Sequence, residues 1–199
     1  VIATLMALGP RTGKVAVLSR VYPGFIGNAL FRQYNREAHF LVEDGALPHE
    51  VDDALRGFGY AMGIFAVHDM AGNDVGYPTR KAQIATRDNS RRWNDLILAL
   101  VEAGRLGQKS GSGWYRYEPG DRRPHRDPEL EAFVLRYAAE RGIVRRPIGE
   151  AEILERCLYA MVNEGARLLE KGVAMRPSDI DLVMLTGYGF PAAQGGPMF

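Results

Sequence analysis

Apolar residues three and four positions apart predict that most of this chain is helical. This spacing places apolar side chains along one face of a helix, where they can be buried together. A different pattern follows a Gly-Pro break at positions 9–10, where four consecutive apolar residues, Val15–Leu18, predict a short buried strand. The helical spacing itself occurs in residues 1–8, 28–43, 49–57, 65–72, 73–85, 93–104, 127–141 and 149–170, with a short helix expected from 177.

One helical pattern occurs twice along the chain. Residues 35–38 (Asn-Arg-Glu-Ala) lead to 57–60 (Gly-Phe-Gly-Tyr), and residues 163–166 (Asn-Glu-Gly-Ala) lead to 187–190 (Gly-Tyr-Gly-Phe). Between these stretches, the pair Val51-Asp52 is matched by Ile180-Asp181. Because internal repeats of this kind fix an architecture, we predict two tandem helical domains. Each must hide an apolar stripe, so we expect them to pack against each other as a pseudo-dimer.

The pattern also predicts where the domains begin and end. A helix, a Gly-Pro break and one strand are typical of the last piece of an α/β unit, so residues 1–21 are interpreted as the remnant of a preceding α/β domain. Residues 22–118 form the first helical copy, and 119–199 the second, truncated one. The polar, proline-rich stretch 118–128 is the predicted linker. We therefore expect the chain to have been cut at both ends.

Composition narrows the function only broadly. Apolar residues make up 46% of the chain and charged residues 25%, which is ordinary for a globular protein. The net charge of +1 argues against nucleic acid as the main partner. The single Cys157 cannot form an internal disulfide and fits a reducing compartment, and its apolar neighbours predict a core thiol. No apolar run approaches the roughly 20 residues of a membrane span.

Candidate chemistry is sparse in this sequence. The four histidines are scattered and no His, Cys and carboxylate cluster has metal-ligand spacing, so no metal site is predicted. His68 and Asp69 are adjacent, but neighbours on a helix face different ways, which disfavours a proton-transfer pair. The glycine-rich stretch 107–113 lacks the residue order of a phosphate loop. It is interpreted either as a tight turn that buries Trp114 and Tyr115, or as a loop whose Lys109 meets a ligand phosphate.

Asn28 is the most suggestive polar residue. It follows an apolar trio at the predicted junction between the α/β remnant and the first helical domain. Clefts at domain junctions are favoured ligand sites, and a side-chain amide can both donate to a substrate oxygen and accept from an acid. The alternative is that Asn28 serves as a helix N-cap.

Several ordered motifs resemble one family. Residues 23–28 (Pro-Gly-Phe-Ile-Gly-Asn), 43–46 (Glu-Asp-Gly-Ala), 59–63 (Gly-Tyr-Ala-Met-Gly) and 109–115 (Lys-Ser-Gly-Ser-Gly-Trp-Tyr) resemble the C-terminal helical domain of 3-hydroxyacyl-CoA dehydrogenases. The second copy, which ends in 187–198, resembles the multifunctional enzymes of fatty-acid β-oxidation, whose dehydrogenase part carries two such domains in tandem. The resemblance implies a mainly all-α fold, like the C-terminal domain of 6-phosphogluconate dehydrogenase, with a strand left from an upstream α/β NAD domain.

The resemblance also implies a reaction. Such enzymes oxidise (3S)-3-hydroxyacyl-CoA to 3-ketoacyl-CoA with NAD, using a His–Glu pair in the nucleotide domain. That pair and the NAD site would lie upstream, so the fragment is expected to be inactive alone while closing the acyl-CoA cleft and supporting the NAD domain. The resemblance carries over Asn28 as the catalytic and substrate-binding amide, and Lys109 and Thr186 as residues near the acyl-CoA.

Other expectations concern partners and location. The implied partners are the acyl-CoA substrate, the upstream NAD-binding domain and, as further options, a hydratase domain and a second copy of the chain; nucleic acid and a membrane span are not expected. A bacterial cytoplasm is the expected location, with the peroxisome as the alternative. The sequence departs from the family at three positions, with Ala29 in place of Arg, Ile64 in place of Pro and Asn73 in place of Leu.

Two rival functions stay open at this level. The chain could be a non-catalytic helical module for dimerisation or interaction, or it could belong to another two-domain dehydrogenase acting on short branched hydroxyacids.

Overall fold

The computed structural model describes residues 1–199, of which 56% are helical. The chain forms no sheet, only isolated β-bridges, which confirms the mainly all-α class. Two short 3₁₀ turns cover Gln108–Ser110 and Ala192–Gln194. The α-helices are α1 (Ile2–Arg11), α2 (Gly27–Asp44), α3 (Pro48–Phe58), α4 (Ile64–Ala71), α5 (Tyr77–Gln83), α6 (Leu96–Glu102), α7 (Pro128–Glu140), α8 (Glu150–Glu170) and α9 (Pro177–Gly187).

The predicted strand at Val15–Leu18 is wrong. These residues have no regular structure, and the only pairing nearby is a bridge between Ser19 and Ala174, with the Arg20 amide donating to the Val173 carbonyl at 3.0 Å. A strand needs a neighbouring strand to bond its backbone groups along its length, and the one bridged position here, Ser19, lies just after this segment. The apolar run alone could not reveal that.

Helix ends were predicted unevenly. Helices α2, α3, α4, α7 and α8 begin and end within two residues of the positions expected from the apolar spacing, and α9 begins where it was expected. Helix α1 runs through the predicted break to Arg11, and α5 starts at Tyr77 rather than 73. Helix α6 starts only at Leu96. Side-chain bonds hold the residues before it: the Trp93 indole donates to the Asp88 carbonyl at 2.8 Å, and the Asn94 side chain accepts from the Leu96 amide at 3.2 Å.

The helices divide into two compact units. The first comprises residues 1–37, 57–61 and 154–199, and the second comprises 38–56 and 62–153. The predicted boundary at 118/119 lies inside the second unit, so the limits 1–21, 22–118 and 119–199 stay predictions about the sequence repeat. None of the helices is both long and apolar enough to cross a membrane.

The first unit has an apolar core in which Cys157 is fully buried, as predicted. Tyr34 and Tyr60 stack with their ring centroids 5.9 Å apart, and Phe190 meets Tyr60 edge-on at 5.7 Å. The other fully or nearly fully buried side chains of this unit include Ile26, Leu30, Met161, Leu168, Ile180 and Met184.

The second unit is built around Trp114 and Phe65, whose rings lie 4.5 Å apart. The carboxyl end of α2 is held by Arg145, which donates to the carbonyls of Val42 and Gly45, the latter at 2.9 Å. A cation at this end of a helix also opposes the helix dipole. Helix α7 begins as predicted, because Asp127 accepts from the Glu129 amide at 3.0 Å as its N-cap.

Candidate functional site

Asn28 lies in the first turn of α2, in the first unit, with its side chain exposed. Its Oδ1 accepts a hydrogen bond from the Tyr188 hydroxyl at 2.8 Å. Since helix α2 begins at Gly27, Asn28 is inside the helix and its side chain bonds to a tertiary partner. This contact differs from the capping role that was the alternative for this residue.

The backbone and a neighbouring ring fix Tyr188. It directly follows α9, and its amide donates to the Met184 carbonyl at 3.2 Å. Its ring centroid lies 5.9 Å from that of Phe31. A Cβ on Gly27 would lie 2.1 Å from the Tyr188 ring, so only glycine permits this approach. Burial raises the pKa of Tyr188, and the hydroxyl therefore stays a proton donor at neutral pH.

An apolar cavity of about 550 Å³ reaches Gly27, the neighbour of Asn28. This volume is in the range of small-molecule sites, which pair apolar walls with a few polar groups. An exposed amide on the residue next to the cavity wall is suited to a ligand that combines a hydrocarbon part with an oxygen. The cavity is lined by parts of α1, by residues 15–19 and 25–27, and by Val183.

Thr186 lies on α9 in the same unit as Asn28. Its hydroxyl donates to the Leu182 carbonyl of its own helix at 2.6 Å, a local bond that serine and threonine often make inside helices. The structure places Thr186 two residues before Tyr188 in the chain, with its hydroxyl proton used in that bond. Its role near an acyl-CoA stays a prediction.

Lys109, in the second unit, pairs with Asp74. Its side chain is about half exposed and lines a cavity of about 830 Å³ together with Tyr117 and Arg122. The Lys109 ammonium holds the pKa of Asp74 below its usual range. A phosphate would therefore have to compete with a carboxylate for this lysine.

The glycine-rich loop is the tight turn expected as the first alternative, since Trp114 and Tyr115 are both buried. The buried Asp69 carboxylate holds it, because it accepts from the amides of Trp114 and Tyr115, both at 2.9 Å. A Cβ on Gly113 would lie 2.0 Å from Asp69 Oδ1, so this position also requires glycine.

Asn73, one of the departures from the family pattern, joins the same network. Its Nδ2 donates to Asp69 at 2.9 Å and to the Arg105 carbonyl at 3.2 Å, and its Oδ1 accepts from the Trp114 indole at 3.1 Å. An amide replaces an apolar residue here because each of its polar groups finds a partner. The change is therefore compatible with a buried position.

A second buried carboxylate holds the start of α4. Asp52 accepts from the amides of Phe65 and Ala66, at 2.9 and 3.0 Å, and from the Tyr115 hydroxyl at 2.8 Å. Burial outweighs these bonds and raises the pKa of Asp52 to about 6. Asp52 thus serves as an N-cap supplied from another helix.

His68 is not arranged for proton transfer with Asp69. Desolvation lowers the pKa of His68 to about 3, which keeps the imidazole neutral. Its ring stacks on His39 at 5.2 Å, and His39 packs edge-on against Trp114 at 5.3 Å. Both histidines belong to an aromatic cluster, and Asp69 is occupied by the loop.

Sequence reasoning missed three polar residues that organise these sites, namely Tyr188, Asp52 and Asp69. Asp52 had a signal, since the Val51-Asp52 pair recurs at Ile180-Asp181. Tyr188 stood in the repeated Gly-Tyr motif, but nothing local connected it with Asn28, 160 positions away.

A family model described as the C-terminal domain of 3-hydroxyacyl-CoA dehydrogenase matches residues 24–117 and 153–198. The chain belongs to this family. The same two stretches fall in the two copies that the repeat predicts. The match confirms the resemblance found in the motifs, and with it the assignment to an oxidoreductase family.

Curated relatives carry the names of multifunctional enzymes. The peroxisomal bifunctional enzymes of Danio rerio and Homo sapiens are 44% and 43% identical across the whole chain, which spans 29% of each. A peroxisomal fatty acid beta-oxidation multifunctional protein of Arabidopsis thaliana is 32% identical, and the chain spans 28% of it. The chain thus corresponds to less than a third of these proteins.

Solved structures agree with the fold. The dehydrogenase part of multifunctional enzyme 1 from C. elegans matches with a TM-score of 0.72 and 31% identity, over 98% of this chain and 44% of that one. A 3-hydroxybutyryl-CoA dehydrogenase from Escherichia coli has the same TM-score at 24% identity, over 98% of this chain and 57% of that one, and supports the fold alone.

The expected bacterial cytoplasmic location is wrong. The relatives are named as peroxisomal or glyoxysomal enzymes from animals and plants. The composition could not separate these compartments, because a single buried cysteine is compatible with both.

Proposed function

We propose that this chain is the C-terminal helical part of a peroxisomal multifunctional enzyme that oxidises (3S)-3-hydroxyacyl-CoA with NAD. The observation that supports this most directly is an apolar cavity that reaches Gly27, the residue before the exposed Asn28. The cavity suits the hydrocarbon part of an acyl group, and the amide suits the oxygen on its third carbon. The names of the relatives support the same reaction.

In this proposal Asn28 donates a hydrogen bond to the reacting oxygen of the substrate. Such a donor contributes most when charge develops in the transition state. Thr186, in the same unit as Asn28, is assigned to the surroundings of the acyl-CoA, and Lys109 keeps that role only as the family resemblance implies it. The base that removes the hydroxyl proton, a His–Glu pair, belongs to the part of the enzyme before this chain.

The nicotinamide cofactor does not fit the residues of this chain. A dinucleotide site of this class needs a strand, a glycine-rich turn and a helix in sequence, and the residues described form only isolated bridges. NAD is therefore assigned to the upstream domain, and no step is attributed to it here. A hydratase domain and self-association stay part of the proposal as further partners.

The surface of α1 supports the assignment of an upstream partner. Ile2, Leu5 and Leu8 of this helix are 58%, 58% and 47% exposed. Large apolar patches on a folded protein usually mark an interaction surface. Ile2 and Leu5 also line the apolar cavity, so we assign this patch to contact with the upstream NAD domain, which would cover the cavity and the acyl group in it.

The alternative is a non-catalytic helical module for dimerisation or interaction. It is favoured by the family description, which names only the C-terminal domain, and by the use of the buried carboxylates Asp52 and Asp69 in holding loops and helix ends. In that case Asn28 would contribute nothing to turnover.

One experiment separates the two. The complete open reading frame is expressed with Asn28→Ala, and oxidation of a 3-hydroxyacyl-CoA is followed by NADH absorbance. Loss of the amide donor should lower kcat about 10-fold or more. The matched control is Asn163→Ala, an exposed asparagine on α8 of the same unit, which should leave kcat unchanged.

If Asn28→Ala turns over as fast as the control, the catalytic assignment is abandoned and the interaction module is preferred. A protein that oxidises free branched hydroxyacids but ignores the CoA thioesters would instead point to the third class of enzyme considered above.

A further inference from the structure

Tyr188 comes from the second copy of the repeat, yet it contacts the candidate site of the first. Its hydroxyl lies 2.8 Å from Asn28 Oδ1, and 160 positions separate the two residues. The ring packs against Phe31, and Gly27 lacks the Cβ that would collide with it. Gly27, Asn28 and Phe31, all near the start of α2, thus form the surface that Tyr188 contacts.

A side-chain amide has two chemically different ends. Its oxygen only accepts hydrogen bonds, whereas its nitrogen only donates them. Turning the amide by half a rotation exchanges the two ends, so an unrestrained asparagine offers a substrate either one. In this structure the Tyr188 hydroxyl donates to Oδ1, so the oxygen is occupied and Nδ2 is left to donate.

The Tyr188 hydroxyl is suited to this task. A tyrosine hydroxyl can donate or accept, and here it donates to Asn28 Oδ1; burial raises the pKa of Tyr188, so the hydroxyl keeps the proton that it donates. The packed ring also keeps the hydroxyl in place, and preorganised donors are more effective than mobile ones. The reacting oxygen of the substrate would then meet an amide whose orientation is already set.

We propose that Tyr188 is a positioning residue that orients Asn28, so that the Asn28 Nδ2 is the group offered to the substrate oxygen. The inference rests on the proposed function, since it assigns Tyr188 an effect only through Asn28. The inference also gives the second helical copy a part in the site, because Tyr188, which would fix the orientation of the Asn28 amide, lies in that copy.

The test uses the complete enzyme with Tyr188→Phe, which keeps the ring and removes the hydroxyl. We expect kcat to fall about 5-fold, KM to change less than 2-fold and the melting temperature to stay the same. The matched control is Tyr159→Phe, a 60% exposed tyrosine of the same unit, for which all three quantities should stay at the level of the unchanged enzyme.

Two further variants show whether Tyr188 acts through Asn28. In the Asn28→Ala background, adding Tyr188→Phe should cause no additional loss, since there is no amide left to orient. Asn28→Asp can still accept from Tyr188 but cannot donate to a substrate, so it should be as slow as Asn28→Ala. Coupled effects of this kind are what double-mutant cycles measure.

The outcomes separate this inference from the proposed function. If Asn28→Ala is fully active, the proposed function fails and the inference falls with it. If Asn28→Ala is slow but Tyr188→Phe matches the Tyr159→Phe control, the function stands and the inference is overturned. An additive loss in the double variant, or a fall in melting temperature that accounts for the lost activity, overturns the inference as well.

Discussion

Asp52 and Asp181 occupy matching positions in the two copies of the repeat, and each accepts a backbone hydrogen bond two residues after a glycine. Asp52 accepts from the Phe65 amide at 2.9 Å, and Asp181 from the Met198 amide at 2.7 Å. The intervening glycines, Gly63 and Gly196, touch these carboxylates so closely that a Cβ would lie 2.1 and 2.4 Å from them. The same pair of residue types therefore builds the same local contact in each unit.

The surroundings of the two carboxylates differ. Asp52 is 2% exposed and accepts two further bonds, from the Ala66 amide and the Tyr115 hydroxyl. Asp181 is partly exposed and is bonded to a single amide. Since an unsatisfied polar group is costly only when it is buried, we expect the same substitution to have a large effect in one copy and a small one in the other.

The largest effect is expected from Asp52→Ala. It leaves three buried donors without an acceptor, and each costs about 1 to 3 kcal/mol, so the free energy of unfolding should fall by about 4 kcal/mol. Urea denaturation followed by tryptophan fluorescence measures this, because Trp93 and Trp114 both lie in the second unit. The neighbouring exposed Asp53→Ala should cost about 0.5 kcal/mol; equal losses for both variants would show that the buried bonds contribute little.

Gly63→Ala should follow, with a loss of about 2 to 3 kcal/mol. The added methyl group would overlap the Asp52 carboxyl, and overpacking a core typically costs this much. Gly149→Ala is the matched control, since nothing lies within 4 Å of its Cβ position, and it should cost about 1 kcal/mol or less, because Gly149 precedes α8 as its N-cap, where alanine is disfavoured. The same urea titration applies. A Gly63→Ala protein as stable as the control would mean that the carboxyl moves aside freely.

The pH dependence of stability offers a third test. Burial raises the pKa of Asp52 from 3.8 to about 6, so between these values the folded protein holds a proton that the unfolded chain has lost. Stability should therefore fall as the pH rises, by about 2 kcal/mol between pH 4 and pH 6. Asp52→Asn should flatten this slope while Asp181→Asn leaves it in place. Urea titrations across this range that give parallel slopes for all three proteins would exclude Asp52 as the source.

The smallest effect is expected from Asp181→Ala, which removes one hydrogen bond at a partly exposed position and should cost about 1 kcal/mol or less. Hydrogen exchange of the Met198 amide is the suitable measurement, because the first unit contains no tryptophan. Asp181→Asn keeps an acceptor and should preserve most of the protection. A loss as large as that of Asp52→Ala would remove the distinction between the two copies.

Much of the fold could be predicted because it depends on local signals. The 3.6-residue apolar period, a proline in the first turn of α3 and α9, and the Asp127 cap of α7 placed helix ends within two residues. The strand at Val15–Leu18 and the long forms of α5 and α6 were wrong for a common reason. Whether a backbone segment forms a strand or helix there depends on partners that the segment itself does not contain.

The site was predicted less completely, for the same physical reason. Asn28 is proposed from its place after an apolar trio and stays a prediction. The Tyr188 hydroxyl that bonds to it and the Asp69 carboxylate that holds the glycine-rich loop come from residues far along the chain. Lys109 shows most clearly what the sequence could not predict. The residues of the loop allowed a phosphate ligand for this lysine. Only the structure showed that Asp74 pairs with its ammonium group.

The contacts of the Arg145 guanidinium affect what happens if the predicted linker, residues 118–128, is cleaved. The guanidinium donates to backbone carbonyls at the end of α2, about 100 positions earlier, while Arg105 binds Asp127 on the other side of the exposed residues 118–124. A protease that cuts near Gly120 should therefore sever the chain without releasing either piece. The two fragments would migrate together until a denaturant breaks those arginine contacts, so covalent continuity at this point is dispensable for holding the second unit together.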